Sequence, residues 1–194
     1  MADCNSDALL GNIDADCDAV KRMGGVKSVL YAVRLANIES VTVDATTKNI
    51  TGVTLKAGAK FLRLEGRKFR NTAGTELGVS DNGPRLRNQT VSARFFVKTQ
   101  LQRDLVNALW DQEDMVLFVP TNGGVVKVYG YSLPPNESSG LSVSGGGESD
   151  GTAMADDTSL LTTFTGSEYN LPPIFEVASG YAETIEYLDD LVSA

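Results

Sequence analysis

Residues 99–131 have the sequence TQLQRDLVNALWDQEDMVLFVPTNGGVVKVYGY, which predicts one amphipathic helix followed by a β-hairpin. Thr99 is a favourable helix N-cap, and Gln102 three residues later completes a capping box. Four apolar residues then follow at helical spacing and predict a single apolar stripe: Leu101, Leu105, Ala108 and Leu109. A helix with one apolar side is expected to lie on a sheet, so Leu105 should be buried and its truncation to alanine should cost about 2–5 kcal/mol.

The second half of this stretch predicts two paired strands. The apolar runs 115–119 and 125–131 flank the turn signal Asn122-Gly123. An Asn-Gly pair between such runs favours a type I′ turn, because both central residues of that turn take positive φ. The helix and the hairpin together form the centre of the predicted fold.

The rest of the chain contains further strand candidates. In VKSVLYAVRL (26–35), the residues Val29, Tyr31 and Val33 share one face, in the pattern of a half-buried strand. The remaining candidates are 40–44, 50–56, 61–69, 90–98, 160–165 and 174–178. These segments predict a mainly β fold, an antiparallel β-sandwich or barrel with one flanking α-helix at about 100–110 and long loops.

The chain divides by composition into two arms and one domain. Residues 1–22 are acidic and lack periodicity, so we expect an N-terminal arm, and residues 23–180 are expected to form a single β-sandwich domain. Residues 181–194 form a C-terminal arm, for which a short helix and a strand-like arm lying on a neighbour both remain open. Two stretches are predicted to be long loops, 70–89 because it lacks apolar periodicity and 135–150 because it is rich in Ser and Gly.

The composition disfavours most catalytic designs. The chain contains no histidine, which removes Ser-His, Cys-His and His-metal arrangements. Its two cysteines, Cys4 and Cys17, are too few for a single-chain structural zinc site, and both a disulfide and two free thiols remain open. The alternating acids of 14–18 imitate a calcium loop, but Ala19 and Gly25 occupy positions where that loop needs glycine and glutamate. We therefore predict no catalytic residue, no cofactor and no metal site.

Charge is distributed unevenly along the chain, whose net charge is −8. Residues 60–103 carry ten Lys/Arg and three Asp/Glu, a net of +7, whereas residues 104–194 carry fifteen acids and one base, a net of −14. One interpretation is solvated surface with an acidic tail. A second is a molecule with two complementary faces that suit head-to-tail contact between copies, and a third is nucleic-acid binding by the basic region. The candidate inter-subunit contacts under the second interpretation are Arg67, Lys68, Arg70, Glu76, Arg85 and Arg87.

No targeting or membrane signal is visible in the sequence. Met1 is followed by polar and acidic residues without an apolar h-region, and no stretch approaches the ~20 apolar residues of a membrane span. We expect the protein to be made in the cytoplasm and to have no membrane span.

Two further segments carry a family resemblance. The first is GGVKSVLYAV (24–33), a Gly-Gly-led opening strand. The second is GTAMADDTSLLTTFTGSEYNLPPIFEV (151–177), with the pattern G-x-x-M-x-D … L-x-x-F-x-G-x-E. With a central helix and hairpin between them, the layout of residues 23–178 resembles that of the major tail proteins of tailed bacteriophages.

The resemblance implies the tail-tube fold, a β-sandwich or barrel flanked by one helix, in subunits that form six-membered rings. Such rings stack head to tail into a tube that conducts double-stranded DNA without binding it specifically, and the family has no active site and no cofactor. By position, residues 70–89 correspond to the long loop that reaches the next ring. The implied partners are further copies of the chain and other phage tail proteins, and the implied location is the virion. A tail terminator, an adaptor, a capsid-decoration subunit and a soluble carbohydrate-binding module remain alternatives.

Overall fold

The computed structural model describes most of the chain. The described residues are 24–66, 70–79, 83, 85–150, 159–177 and 180–193. The predicted N-terminal arm, the candidate contacts Arg67 and Lys68, and the G-x-x-M-x-D half of the motif therefore lie outside the described residues.

The described part of the chain forms eleven strands and two α-helices. The strands are β1 (Val29–Arg34), β2 (Ile38–Val43), β3 (Ile50–Leu55), β4 (Leu62–Glu65), β5 (Thr72–Gly78), β6 (Leu86–Phe95), β7 (Met115–Pro120), β8 (Val126–Tyr129), β9 (Ser142–Ser149), β10 (Ser159–Glu168) and β11 (Ile174–Phe175). The helices are α1 (Gln100–Trp110) and α2 (Tyr181–Ser193). The predicted mainly β fold is confirmed, and the C-terminal segment adds a second helix to it.

The strands form two sheets that pack against each other. The large sheet has the order β2-β3-β11-β8-β7-β1-β4, and the small sheet has the order β5-β6-β10-β9. Neighbouring strands are antiparallel, apart from the short parallel pair β11–β3. The small sheet covers one face of the large sheet and α2 covers the other, which gives three layers.

Two apolar cores lie on either side of the large sheet. The core between the sheets includes Leu30 and Phe164, and the core under α2 includes Phe118 and Leu188. Strands β1 and β7 contribute to both cores, and all six residues of β7 are buried. The prediction that β1 is half-buried was wrong, because α2 covers the face that would otherwise meet solvent.

Helix α2 is held on the large sheet by tyrosine hydroxyls as well as by apolar packing. The Tyr187 hydroxyl donates to the Val53 carbonyl at 2.9 Å, and the Tyr31 hydroxyl donates to the Asp189 carboxylate at 2.8 Å. Burial, together with the hydrogen bond to Asp189, raises the pKa of Tyr31. The C-terminal segment therefore packs on its own domain as a helix.

The helix start and the hairpin form as predicted, but the turn differs. Thr99 Oγ1 accepts from the Gln102 backbone N–H, and Gln102 Oε1 accepts from the Thr99 N–H, each at 3.3 Å. Strands β7 and β8 pair antiparallel. The prediction of a type I′ turn with Asn122 and Gly123 as its central residues was wrong. The residue with positive φ is Gly124, at 76°. The Gly124 N–H donates to the Thr121 carbonyl at 3.2 Å, so a three-residue loop closes the hairpin with a glycine in its left-handed position.

The buried face of α1 differs from the predicted stripe. Leu101 and Leu105 are 71% and 61% exposed, whereas Val106 and Leu109 are buried in the core between the sheets. The prediction that Leu105 is buried was therefore wrong.

Two side chains set the rotation of α1 about its axis. Arg103 donates to both carboxylate oxygens of Glu148 on β9, at 2.5 and 2.6 Å, and Trp110 Nε1 donates to Thr162 Oγ1 on β10 at 2.7 Å. The hydrogen bond from Arg103 also lowers the pKa of Glu148. Because Arg103, Val106 and Trp110 lie on one helical face, these bonds turn that face towards the small sheet.

Both predicted long loops contain strands. Within 70–89, β5 pairs antiparallel with the start of β6, and within 135–150, β9 pairs with β10. Edge strands that are exposed on both faces lack the apolar alternation by which a strand is recognised in sequence. A Cβ on Gly146 of β9 would lie 2.9 Å from Trp110 Cε2, so this glycine lets α1 pack on the strand.

Leu109→Ala should lower the free energy of unfolding by about 2–5 kcal/mol, because it opens a cavity in the core between the sheets. Leu105→Ala is the matched control one turn earlier, and it should change stability by less than about 0.5 kcal/mol because the side chain is exposed. Urea unfolding followed by circular dichroism measures both. A larger loss for Leu105→Ala than for Leu109→Ala would contradict the rotation of α1.

Candidate assembly surfaces

The small sheet has one face in the core and one face open to solvent, called here the outer face. The outward residues are Thr72, Gly74, Glu76 and Gly78 on β5, Leu86, Asn88, Thr90, Ser92 and Arg94 on β6, Leu161, Thr163, Thr165 and Ser167 on β10, and Ser142, Gly145 and Gly147 on β9. Most are small, and two pairs bond across strands, Ser92 with Thr163 at 3.1 Å and Ser167 with Asn88 at 2.8 Å. With one acid, Glu76, and one base, Arg94, these residues give the outer face no net charge.

Both edges of the small sheet lack a partner strand within the described part of the chain. All three strand pairs of this sheet are antiparallel, so β5 and β9 run in opposite directions. The β9 edge of one copy can therefore pair with the β5 edge of another and continue the antiparallel alternation. Gly74 on β5 and Gly147 on β9 have no atom within 4 Å of a Cβ position, so packing within the subunit requires neither glycine.

Three of the predicted contact residues lie at the end of the small sheet where β5 ends and β6 begins, called here the hairpin end. Glu76 lies on β5, Arg87 lies on β6, and Arg85 lies one residue before β6. Arg87 Nη1 donates to the Arg85 carbonyl at 2.9 Å, which holds the guanidinium against the backbone that precedes β6. Arg70 lies before β5, about 20 Å from Glu76 at the rise of an extended strand. The structure thus groups Glu76, Arg85 and Arg87 and leaves Arg70 apart.

The hairpin end also carries exposed apolar side chains that sequence reasoning missed. Leu77 and Val79 are 57% and 69% exposed, and Tyr169 and Leu171, which follow the neighbouring strand β10, are exposed as well. The alternation of Leu77 and Val79 was an available signal, but it stands in a stretch whose polar composition predicts a loop. The hairpin end therefore carries exposed apolar surface beside charged side chains.

An apolar cleft of about 510 Å³ lies at the other end of β6, about 30 Å from the hairpin end at the rise of a strand. It lies between α1 and the edge strand β4, and is called here the α1–β4 cleft. Its apolar walls include Leu62, Leu64, Phe95, Val97, Leu105 and Ala108. Three bases, Arg34, Lys60 and Arg63, also line it.

The L-x-x-F-x-G-x-E pattern on β10 has a structural role. A Cβ on Gly166 would lie 2.5 Å from the Gly140 carbonyl oxygen, so only glycine fits there. The buried Glu168 carboxylate accepts from the Ser132 hydroxyl at 2.6 Å and from the N–H groups of Ser139 and Gly140 at 2.9 and 3.0 Å. These contacts fasten the segment between β8 and β9 against β10.

Other kinds of site are not formed by the residues that the structure describes. Among them, no group of three or more Cys, Asp or Glu side chains could hold a metal ion. None of the described helices has the length and apolar character needed to cross a membrane.

Comparisons with known proteins were made at the level of families, curated sequences and solved structures. No family model matches the chain, and no curated protein or solved structure matches it significantly.

Glu168→Ala should lower the free energy of unfolding by about 2–5 kcal/mol, because it leaves a buried hydroxyl and two N–H groups without their acceptor. Glu168→Gln keeps one acceptor oxygen and should lose less. Glu137→Ala, an exposed acid in the same segment, is the control and should change stability by less than about 0.5 kcal/mol. Equal losses of unfolding free energy for Glu168→Ala and Glu137→Ala in urea would show that the hydrogen bonds of Glu168 do not stabilise the fold.

Proposed function

We propose that the protein is a self-assembling structural subunit of the tail-tube class, whose copies form rings that stack into a conduit for double-stranded DNA. The observation that carries this proposal is the small sheet, whose two open edges run in opposite directions and flank an outer face without net charge. Repeated copies of such a sheet can close on themselves and enclose a neutral lumen.

Ring closure would pair the β9 edge of each subunit with the β5 edge of the next. Such a head-to-tail contact is heterologous, and it gives a ring when the rotation between subunits closes. Closure would also protect two edges that otherwise invite aggregation. The large sheet spans about 29 Å across its strands and the small sheet about 14 Å, so the large sheet suits the outer radius and the outer face of the small sheet suits the lumen.

The dimensions and the charge of this lumen suit a passing duplex. Four strands from each of six subunits would form a barrel about 48 Å across at the usual strand spacing and tilt, which is wider than a DNA duplex. Proteins that retain DNA neutralise many phosphates with Lys and Arg. Among the described residues of the outer face, the charges are one Glu76 and one Arg94 per subunit, which form no such cluster, so DNA would slide through the lumen.

The distribution of the basic residues favours the interpretation as a conduit and disfavours the interpretation as a nucleic-acid-binding surface. Within the described residues of 60–103, Arg103 pairs with Glu148, Arg63 pairs with Glu65, and Arg87 donates to backbone. Guanidinium groups engaged in this way are less available to phosphates, and the outer face itself carries one base, Arg94, among the described residues.

Stacking of the rings would use the two ends of the small sheet. The strands of a barrel run at a tilt along its axis, so the hairpin end and the α1–β4 cleft would face opposite ends of each ring. Exposed Leu77 and Val79 give the hairpin end apolar surface for contact with an adjacent ring.

Purified protein should form rings or tubes in negative-stain images, and the double variant Gly74→Lys/Gly147→Lys should remain monomeric. Both glycines have open space around a Cβ, so the subunit should fold, while lysines on both edges would repel each other across the junction. Thr42→Lys/Thr54→Lys adds the same charge to exposed positions of the large sheet and should still assemble.

Two outcomes would contradict this proposal. Rings formed equally well by the Gly74→Lys/Gly147→Lys variant would show that these edges are not the ring contact. A wild-type protein that stays monomeric in size-exclusion chromatography at all concentrations would favour a decoration subunit or a soluble carbohydrate-binding module.

Replacing residues 79–85 with Asn-Gly should leave rings that no longer stack into long tubes. Gly78 and Leu86 already face each other across the hairpin, so a two-residue turn can join them and keep β5 and β6 paired. Electron microscopy measures the length of the assemblies, with unaltered circular dichroism as the control for folding. Tubes of wild-type length would exclude the turn as the stacking contact.

A further inference from the structure

The α1–β4 cleft leaves apolar surface open at an open sheet edge. Leu62 on β4 and Leu105 on α1 are 50% and 61% exposed, and both line the cleft. No strand pairs with the outer edge of β4 within the described residues. The volume of the α1–β4 cleft, about 510 Å³, lies in the range of ligand-binding clefts, about 300–1,000 Å³.

We propose that this cleft binds the chain's own N-terminal segment DALLGNID, residues 7–14. The segment has an apolar centre formed by Leu9, Leu10 and Ile13, and it has an acid at each end. The cleft has the complementary arrangement, with apolar walls and bases on its lining. An extended segment can add to the free edge of β4 and place alternate side chains in the cleft.

The charges of the two partners are complementary. Residues 1–19 contain five acids and no base. Arg34 and Lys60 line the cleft as exposed bases that have no acidic partner among the described residues, whereas Arg63 is paired with Glu65 at 3.0 Å. Arg34 and Lys60 are thus available to Asp7 and Asp14.

The connection between the segment and the described chain is long enough for this contact. The described chain begins at Gly24, whose carbonyl accepts from Asn122 Nδ2 at 3.0 Å in the β7–β8 turn. The cleft borders Met115 at the other end of β7, about 20 Å away when the strand rise and two strand spacings are combined. Residues 15–23 can span about 30 Å when extended. A second copy is therefore not needed, and the tether raises the effective concentration of the segment to the millimolar range, about 1 mM.

Disulfide trapping in the full-length chain tests this proposal independently of ring formation. In a Cys4→Ser/Cys17→Ser background, Asn12→Cys is combined with Gln112→Cys or with Asn37→Cys, both of which line the cleft. The control combines Asn12→Cys with Gln100→Cys, an exposed position of α1 that does not line the cleft. At least one cleft pair should form an intramolecular disulfide at least about tenfold faster than the control pair, because docking raises the local thiol concentration.

A matched pair of substitutions on α1 separates docking from chance collision. Leu105→Asp places a charge in the cleft and should slow trapping to the rate of the control pair, whereas Leu101→Asp, also solvent-exposed but outside the cleft, should leave the rate unchanged. Circular dichroism confirms that both variants fold.

The remaining outcomes would overturn the proposal. Equal rates for the cleft pairs and the control pair would show that the segment is not held at the cleft. Disulfide-linked dimers on a non-reducing gel, in place of cross-linked monomers, would assign the cleft to a second copy of the chain. Trapping that is insensitive to Leu105→Asp would place the contact elsewhere.

Discussion

The arrangement of the layers depends on the burial of β7 on both faces. Leu117 and Val119 face the small sheet, while Phe118 faces α2, where its ring centroid lies 5.1 Å from those of Phe61 and Phe175. Because side chains alternate along a strand, a slip of one residue would exchange the two sets and remove the packing surface of both outer layers. One strand thus sets the positions of the small sheet and α2. The inner face of the small sheet packs in this core, which leaves the outer face as the one that is open to solvent.

Elements with local signals could be predicted from the sequence, and elements determined by distant partners could not. The capping box at Thr99 and the β7–β8 hairpin depend on residues close in sequence. The rotation of α1 depends on Glu148 and Thr162, which are 45 and 52 positions away from their partners. Strand β9 was missed because an edge strand of serine and glycine has no apolar pattern, and its pairing with β10 is made by the backbone.

The candidate contact surface was predictable only in part for a related reason. Charge can be counted in a sequence, and three of the residues chosen on that basis, Glu76, Arg85 and Arg87, lie near the same end of the small sheet. Whether a base is free or already paired is decided by the fold, as for Arg103. Open edges can be recognised only once the order of the strands is known. The assembly proposal therefore depends on the open strand edges of the small sheet and on the apolar residues of the hairpin end more than on the charged side chains.

Trp110 is the one tryptophan of the chain, and it lies where α1, β9 and β10 meet. Its indole ring covers Gly146 on the strand that forms an open edge of the small sheet. Tryptophan emission depends on the immediate surroundings of the ring, so the tryptophan fluorescence of the folded protein reports on that edge. Release of β9, or its pairing with another strand, would change the signal without any label. The fold thus places an optical reporter at the edge of the small sheet.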